Sequence, residues 1–251
     1  MAFLEFKDMR IAGFSAGVPK YVAVNDTVAS KDYAAADFVA TTGVKERRIG
    51  DFTTSDLCYE AAERLLSDLQ WRKEEVGALI FVSQTADYIL PATACILQDR
   101  LGLSKECYAL DVALGCSGWV YGLSVIAGLL SKEGITKALL LAGDAKKRAQ
   151  GASDPLFGHA GTVTAVEYSE GAAGFKFHVG TDGSGFDAII TPDGGSRNQF
   201  TEDSLKLIQD SDGVTRHRLQ TVMKGMDVFA FGITTCLLYT SDASDDLIGV
   251  D

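Results

Sequence analysis

Proline is scarce in this chain, with 4 residues in 251, which excludes a Pro-rich linker or polyproline tract. Long apolar runs are also missing. The longest, residues 119–130, has twelve residues and two glycines, short of the roughly 20 that a membrane span needs. Basic residues are in deficit: the formal net charge is -11, against the basic face that replaces counterions on nucleic-acid phosphates. The five cysteines form no C-x-x-C pair and are odd in number, so neither a zinc site nor a disulfide framework is indicated. In a reducing compartment they are expected as free thiols. Glu5, Lys7, Asp8 and Arg10 interrupt any apolar leader at the amino terminus, so no signal peptide is read and a cytoplasmic protein is expected. What is abundant is apolar material, 47% against 23% charged, and glycine, at 26 residues. That is the composition of a globular fold with many tight strand-to-helix turns.

Apolar runs alternate with helical patterns through the first two thirds of the chain. Residues 9–16 read as a first strand, and Ser30 can cap a short helix that ends near Gly43. Ser55 opens a stronger helix, because Leu57, Cys58, Ala61, Ala62, Leu65, Leu66 and Leu69 form one apolar stripe. Residues 78–82, ALIFV, are the continuous run expected of a strand covered on both faces. Pro91 at a start and Gly102 past an end bracket a further helix. Residues 110–113 predict another buried strand, 117–131 a helix stopped by Gly134, and 137–142 a third buried strand. Beyond Pro155, strands over 162–168, 175–179 and 188–191 are joined by turns at Asp182-Gly183 and Asp193-Gly194-Gly195. Residues 196–220 read as a polar surface excursion, and from Met223 a helical pattern returns with Met226, Val228, Phe229 and Ile233 as its apolar positions. Two basic clusters, residues 45–48 and 146–148, read as solvated charged turns.

Among the thiols, Cys116 has the context of a nucleophile. It lies in LDVALGCSGW (110–119), where a strand ends and a helix begins among small residues. Small neighbours let a substrate approach closely, and the positive end of a helix dipole favours the thiolate, which is the reactive form. Cys58 and Cys95 sit in helical stripes and read as core hydrophobes. Pattern alone leaves Cys116 open as nucleophile or ordinary buried cysteine.

The segments FVATTGVKERRIG (38–50), ALIFVSQTADYILPATACILQDRLGL (78–103), ALDVALGCSGWVYGLSVIAGLL (109–130) and ALLLAGDAKKR (138–148) resemble, in order and spacing, a beta-ketoacyl-acyl carrier protein synthase III. TDGSGFDAIITPDGGSRN (181–198) and MKGMDVFAFGI (223–233) continue the likeness. The resemblance implies an α/β, thiolase-like fold layered αβαβα, with the second half largely missing here, and a homodimer. Residues 1–170 would be the half carrying the nucleophile, and 171–235 the remaining strands and the start of the second half. It makes Cys116 the acyl acceptor and implies two stages: acyl transfer from coenzyme A to sulfur, then condensation with a decarboxylating malonyl unit on acyl carrier protein. Acyl-CoA and malonyl-ACP are substrates, and no resident cofactor or metal is implied. Condensation in the family uses a His and an Asn from the second half. His159, His178 and His217 do not match that position, so condensation by this chain is expected to be absent or very weak.

The same resemblance assigns substrate contacts. Phe38 and Thr42 fall where the family holds the coenzyme A adenine between Trp and Arg; Phe38 can stack on a base, but Thr42 supplies no guanidinium plane. Leu90 falls where a residue reaches across the dimer to shape the acyl pocket. Phe157, Gly225 and Phe229 are further substrate-binding positions, and His159 replaces an acidic residue in the turn after Phe157-Gly158. Lys224 and Arg148 are the docking positions for the acidic carrier protein, with Ala230 where the family has a Lys.

Other readings stand beside this one. A relative could pass the acyl group from Cys116 to oxygen or nitrogen without decarboxylation, or the chain could be a non-catalytic fragment exposing an apolar face. The glycine-rich run at 180–185 reads as a turn, since no helix pattern follows it. The last sixteen residues, 236–251, carry four Asp and no Lys or Arg, and without them the net charge would be -7. Residues 236–246 resemble a translated sequencing adapter, so the native frame is expected to end near Thr235 and 236–251 to be a non-native tail.

Overall fold

A computed structural model describes residues 2–25, 35–145, 155–209 and 213–236, which fall into two units, Met1–Val179 and Gly180–Asp251. Ser30, the 146–148 cluster with Arg148, and the tail from 237 onward lie outside the described residues.

The first unit contains, in chain order, β1 (Ala2–Phe6), β2 (Met9–Gly17), β3 (Tyr21–Val24), α1 (Ala35–Thr42), β4 (Glu46–Ile49), α2 (Thr54–Leu69), β5 (Ala78–Val82), α3 (Thr93–Arg100), β6 (Tyr108–Val112), α4 (Gly118–Leu129), β7 (Lys137–Asp144), β8 (Ala160–Tyr168) and β9 (Phe175–Val179). Five strands make one sheet in the order β2-β8-β7-β5-β6. β5 is parallel to β6 and β7, whereas β8 is antiparallel to both β7 and β2. Because successive side chains on a strand face opposite ways, β5 divides its apolar run between two cores. Leu79 and Phe81 join Leu139, Leu141 and Val163 beneath α2 and α3, while Ile80 and Val82 join Leu140 and Val166 against α4. All five β5 residues are buried, as expected of a parallel strand covered on both faces. The antiparallel ribbon of β1 and β9 packs its Phe6, Phe175 and Phe177 into the α4 cluster.

Winding reverses at β5. The chain leaves β5 through α3 to β6 on one side, then returns through α4 to β7 on the other. Crossovers of one hand that run in opposite directions place their helices on opposite faces, which is where α3 and α4 lie.

Several sequence expectations need correction. α2 begins at Thr54, because Thr53 is the cap: its Oγ1 accepts from the Asp56 N–H at 3.1 Å and its own N–H donates to Asp56 Oδ2 at 3.2 Å, a capping box. Pro91 follows a cis peptide bond and precedes the cap residue Ala92, so it lies outside α3. The expected buried strand at 110–113 is β6, half-buried at the sheet edge, with β5 as its one neighbouring strand among the described residues. Cys95 is exposed on α3, since Ala94 and Leu97 supply the inward face. Residues 46–49 form a strand whose Arg47 points inward, in place of a solvated turn.

α2 can lie on β2 and β8 only because the sheet has no side chains under its first turn. A Cβ on Gly17 would stand 2.2 Å from the Leu57 carbonyl oxygen, and one on its register partner Gly161 would stand 2.5 Å from the Cys58 nitrogen.

The second unit contains β10 (Ile189–Ile190), β11 (Ile208–Gln209), β12 (Thr215–Arg216), β13 (Val222–Met223) and α5 (Gly225–Phe231). β10 pairs with β13 and β11 with β12, both antiparallel. Asp193 ties this unit together by accepting from Arg218 Nε at 3.0 Å and from the buried Ser204 hydroxyl at 2.8 Å. Met226, Phe229 and Ile233, three of the apolar positions of the expected helix, are exposed.

Candidate active site at the carboxyl ends of the parallel strands

Parallel strands put all their carboxyl ends at one rim of a sheet, and ligands in such folds sit outside that rim. Here the rim receives residues 83–92 after β5 and 113–117 after β6. The registers Ala160↔Asp144 and Gly17↔Gly161 bring the start of β8 and the end of β2 to the same rim.

Cys116 lies in the turn between β6 and α4, exposed, and directly before the helix cap Ser117. The Gly118 N–H donates to the Gly115 carbonyl at 2.8 Å and closes the turn. Gln84, from the β5 loop, rests against Gly115, where a Cβ would approach its carboxamide to 3.0 Å. Cys58, in contrast, is sealed on the inner face of α2, and burial pushes its thiol up to about 12. Burial likewise raises Cys107 to about 11.

A polar network holds the rim together. Asp144 Oδ1 accepts from Ser83 Oγ, the Gln84 N–H and Thr85 Oγ1, each at 3.0 Å. Thr54 Oγ1 lies 2.7 Å from Thr85 Oγ1 and accepts from the Ala145 N–H at 2.9 Å. Ser55 donates to Asp87 at 2.7–2.8 Å. Asp111, near the end of β6, caps α3 by accepting from the Thr93 and Ala94 N–H groups, both at 2.7 Å. Sequence reasoning passed over these residues, although the run Ser83-Gln84-Thr85 directly after a buried apolar strand was a signal that polar side chains gather there.

The expected ligand positions fall as follows. Leu90 is on the β5 loop, 83% exposed beside Ile89 at 98%. Phe157, 64% exposed, precedes β8 at the same rim. Phe38 and Thr42 are on α1, where the Thr42 hydroxyl donates to the Phe38 carbonyl at 2.8 Å and accepts from the Val44 N–H at 3.2 Å. His159 Nδ1 lies 3.0 Å from the Gly50 carbonyl, and His178 is in β9 opposite Phe3. Gly225 and Phe229 belong to α5 of the second unit; His217, in the same unit but just after β12, accepts at Nδ1 from the Leu219 N–H at 3.3 Å. Lys224 there pairs with Asp187 at 2.5 Å, and this bond raises the Lys224 pKa.

Two of the cavities in the first unit lie at opposite ends of its parallel strands. One of about 400 Å³ is lined by Phe14, Ser15, Ala16, Trp119, Thr162 and Thr164, beside the first turn of α4. Trp119 Nε1 donates to Thr164 Oγ1 there at 3.0 Å. The other, about 370 Å³, has Gly77, Cys107 and Lys137 in its wall, at the amino ends of β5, β6 and β7 and so remote from Cys116 along the strands.

The family model for 3-oxoacyl-[acyl-carrier-protein (ACP)] synthase III matches residues 110–183, which include Cys116 and its turn. The beta-ketoacyl-[acyl-carrier-protein] synthase III of Fusobacterium nucleatum is 32% identical over 246 residues, spanning 93% of this chain and 70% of its own. This chain belongs to that family. The corresponding synthase III of Desulfitobacterium hafniense strain Y51 is 31% identical over 231 residues, with 89% of this chain and 67% of its own covered. Among solved structures, the 3-oxoacyl-(acyl-carrier protein) synthase of Burkholderia xenovorans LB400 superposes with a TM-score of 0.86 at 34% identity, over 100% of this chain and 72% of that one. Synthase III enzymes are acyl-transferring condensing enzymes with an α/β, thiolase-like fold, and the fold read from the sequence is of this class. No helix among the described residues is long and apolar enough to cross a membrane.

Proposed function

We propose that this chain accepts an acyl group on Cys116 Sγ, as the first half of 3-oxoacyl-ACP synthesis in fatty-acid or related acyl-chain biosynthesis. The observation that carries the reading is the placement of Cys116. It is exposed on the rim where three parallel strands end, immediately before the amino end of α4. The thiolate attacks the carbonyl carbon of an acyl-CoA, an S–C bond forms, and the C–S bond to coenzyme A breaks. Coenzyme A leaves as the thiol, carrying the proton that Cys116 gave up. Negative charge on the carbonyl oxygen during attack is favoured at the positive end of a helix.

In the second half, malonyl-ACP loses carbon dioxide and the electron pair of the broken C–C bond stays on the α-carbon. That carbanion attacks the Cys116 thioester, and Sγ leaves as thiolate to give 3-oxoacyl-ACP. The partners are acyl-CoA and acyl carrier protein, and the assembly is a homodimer. Neither His159, engaged with Gly50, nor His178, on the β1–β9 ribbon, is assigned to the condensation step.

The test is intact-protein mass spectrometry after incubation with acetyl-CoA, with Cys116→Ala as control. An acetyl adduct on the wild type alone is expected. Equal labelling of both proteins, or none of either, overturns the assignment of Cys116.

A further inference from the structure

The loops that follow β5 and β6 are tied together at their starts. The Val112 carbonyl accepts from the Ser83 N–H at 3.3 Å and from the Leu114 N–H at 3.0 Å, so residues 83–92 and 113–117 leave from one anchor. Asp144, at the end of β7 on the other side of β5, holds the first loop through the Ser83 hydroxyl, the Gln84 N–H and the Thr85 hydroxyl. The main chain at Gln84 is therefore fixed from both flanks. Its side chain takes no part in that clamp: it is exposed, and its carboxamide makes no hydrogen bond to another described residue.

That carboxamide lies on Gly115. A Cβ there would stand 3.0 Å from Cδ, Oε1 and Nε2 of Gln84 alike, so the flat face of the amide rests on the glycine. Gly115 has no left-handed backbone that would itself require glycine; its missing side chain leaves room for Gln84. An amide forms its hydrogen bonds in its own plane, so a contact through the face leaves both Nε2 protons unspent. The next residue, about 3.8 Å along the chain, is the exposed Cys116. We infer that Gln84 is a catalytic residue whose Nε2 donates a hydrogen bond to the acyl carbonyl oxygen while Cys116 takes the acyl group. The inference rests on the acyl-transfer reading above. Attack by Sγ moves the carbonyl π pair onto that oxygen; its return re-forms the carbonyl and expels coenzyme A, which leaves with the proton that Cys116 gave up. Gln84 keeps both of its amide protons throughout and adds to the positive end of α4 in stabilising the oxyanion.

The test sets acetyl transfer from acetyl-CoA against alkylation by iodoacetamide, both read at Cys116 by peptide mass at one neutral pH. Displacement of iodide occurs at a saturated carbon and develops no oxyanion, so the ratio of the two rates cancels any change in thiolate fraction. Gln84→Leu keeps bulk over Gly115 but removes the donor, and its ratio is expected to fall roughly tenfold or more. Gln84→Glu keeps the shape, yet its carboxylate repels a developing oxyanion, so its ratio should fall at least as far. Gln84 is exposed, and Cys58 staying unmodified in both variants shows that they are folded; should one unfold, the other carries the test. A ratio unchanged in Gln84→Leu, or close to wild type in Gln84→Glu, means a merely packing role and overturns the inference while the acyl-transfer reading stands. Absence of an acetyl adduct on wild type overturns both.

Discussion

Alanine at Gly161 tests how α2 is seated on the sheet. Gly161 has no left-handed backbone, so Gly→Ala would ordinarily stabilise the protein by about 0.4–1 kcal/mol through the unfolded chain. Here the new Cβ would stand 2.5 Å from the Cys58 nitrogen and 2.8 Å from the Leu57 carbonyl carbon. Those are main-chain atoms that no rotamer change can move, so α2 must retreat by about 1 Å to restore contact distance. Overpacking of this kind costs roughly 1–3 kcal/mol. The retreat also stretches the Thr54–Thr85 and Ser55–Asp87 bonds, now 2.7–2.8 Å, at about 1 kcal/mol each. The net expectation is a loss of about 2–4 kcal/mol, read as a lower urea midpoint at unchanged m-value. Gly17→Ala should behave alike, and one displacement of α2 would relieve both clashes, so the double variant should cost clearly less than the sum. Gly13→Ala is the internal control, because its Cβ would meet only the Leu65 and Leu69 methyl groups at 3.2–3.4 Å; it should fall within about 0.5 kcal/mol of wild type. A neutral Gly161→Ala, or additivity with Gly17→Ala within about 0.5 kcal/mol, would refute the reasoning.

Three further outcomes follow from the structure. Iodoacetamide at mild alkaline pH should modify Cys95 and Cys116 first, Cys107 slowly and Cys58 only on unfolding, since burial holds the last two thiols near 11 and 12; peptide mapping over time checks the order. Asp111→Ala leaves the Thr93 and Ala94 N–H groups without their acceptor and should lower stability by about 2–3 kcal/mol, with Asp111→Asn milder, by urea titration. The Glu75 carboxyl is held down from 4.5 to about 2 by the Arg72 N–H and then by Lys137. A depressed acid stabilises the fold above its unfolded pKa and loses that effect as pH falls through the folded one. The stability difference between wild type and Glu75→Gln should therefore be full above about pH 4.5 and vanish near pH 2, and added salt should shrink it.

Much of the central sheet was legible because periodicity encodes it. β5 and β7 are continuous apolar runs, and the α2 stripe lines one core with Cys58, Ala61, Ala62, Leu65 and Leu66. The Cys116 turn was legible because small residues mark the passage from strand to helix. Burial was harder to read, since it depends on what lies opposite: Leu110 and Val112 of β6 are as apolar as the residues of β5, yet among the described residues β6 has a neighbouring strand on one side only. Cys95 fits a stripe that α3 does not turn inward. The run Ser83-Gln84-Thr85 signalled a polar rim, but its partners could not be read, because Ser83 and Asp144 meet across 61 residues, a separation that no local spacing rule encodes. Arg47 misled for a related reason: a charged run suggests solvent until Asn25 and the Phe157 carbonyl are known to face it.

The reversal of winding at β5 bears on how this molecule can be altered. Because the chain leaves β5 in one direction and returns past it in the other, the segments around Cys116 come from separate connections, none of which spans the sheet. Exposed positions in those loops, such as Tyr88, Ile89, Leu90, Leu114 and Phe157, can therefore be varied while the strands beneath keep their register. A combinatorial library confined to those positions should give mostly folded variants that differ in acceptance of substrate, whereas one of equal size spread over β5, β7 and α2 should yield mostly insoluble protein.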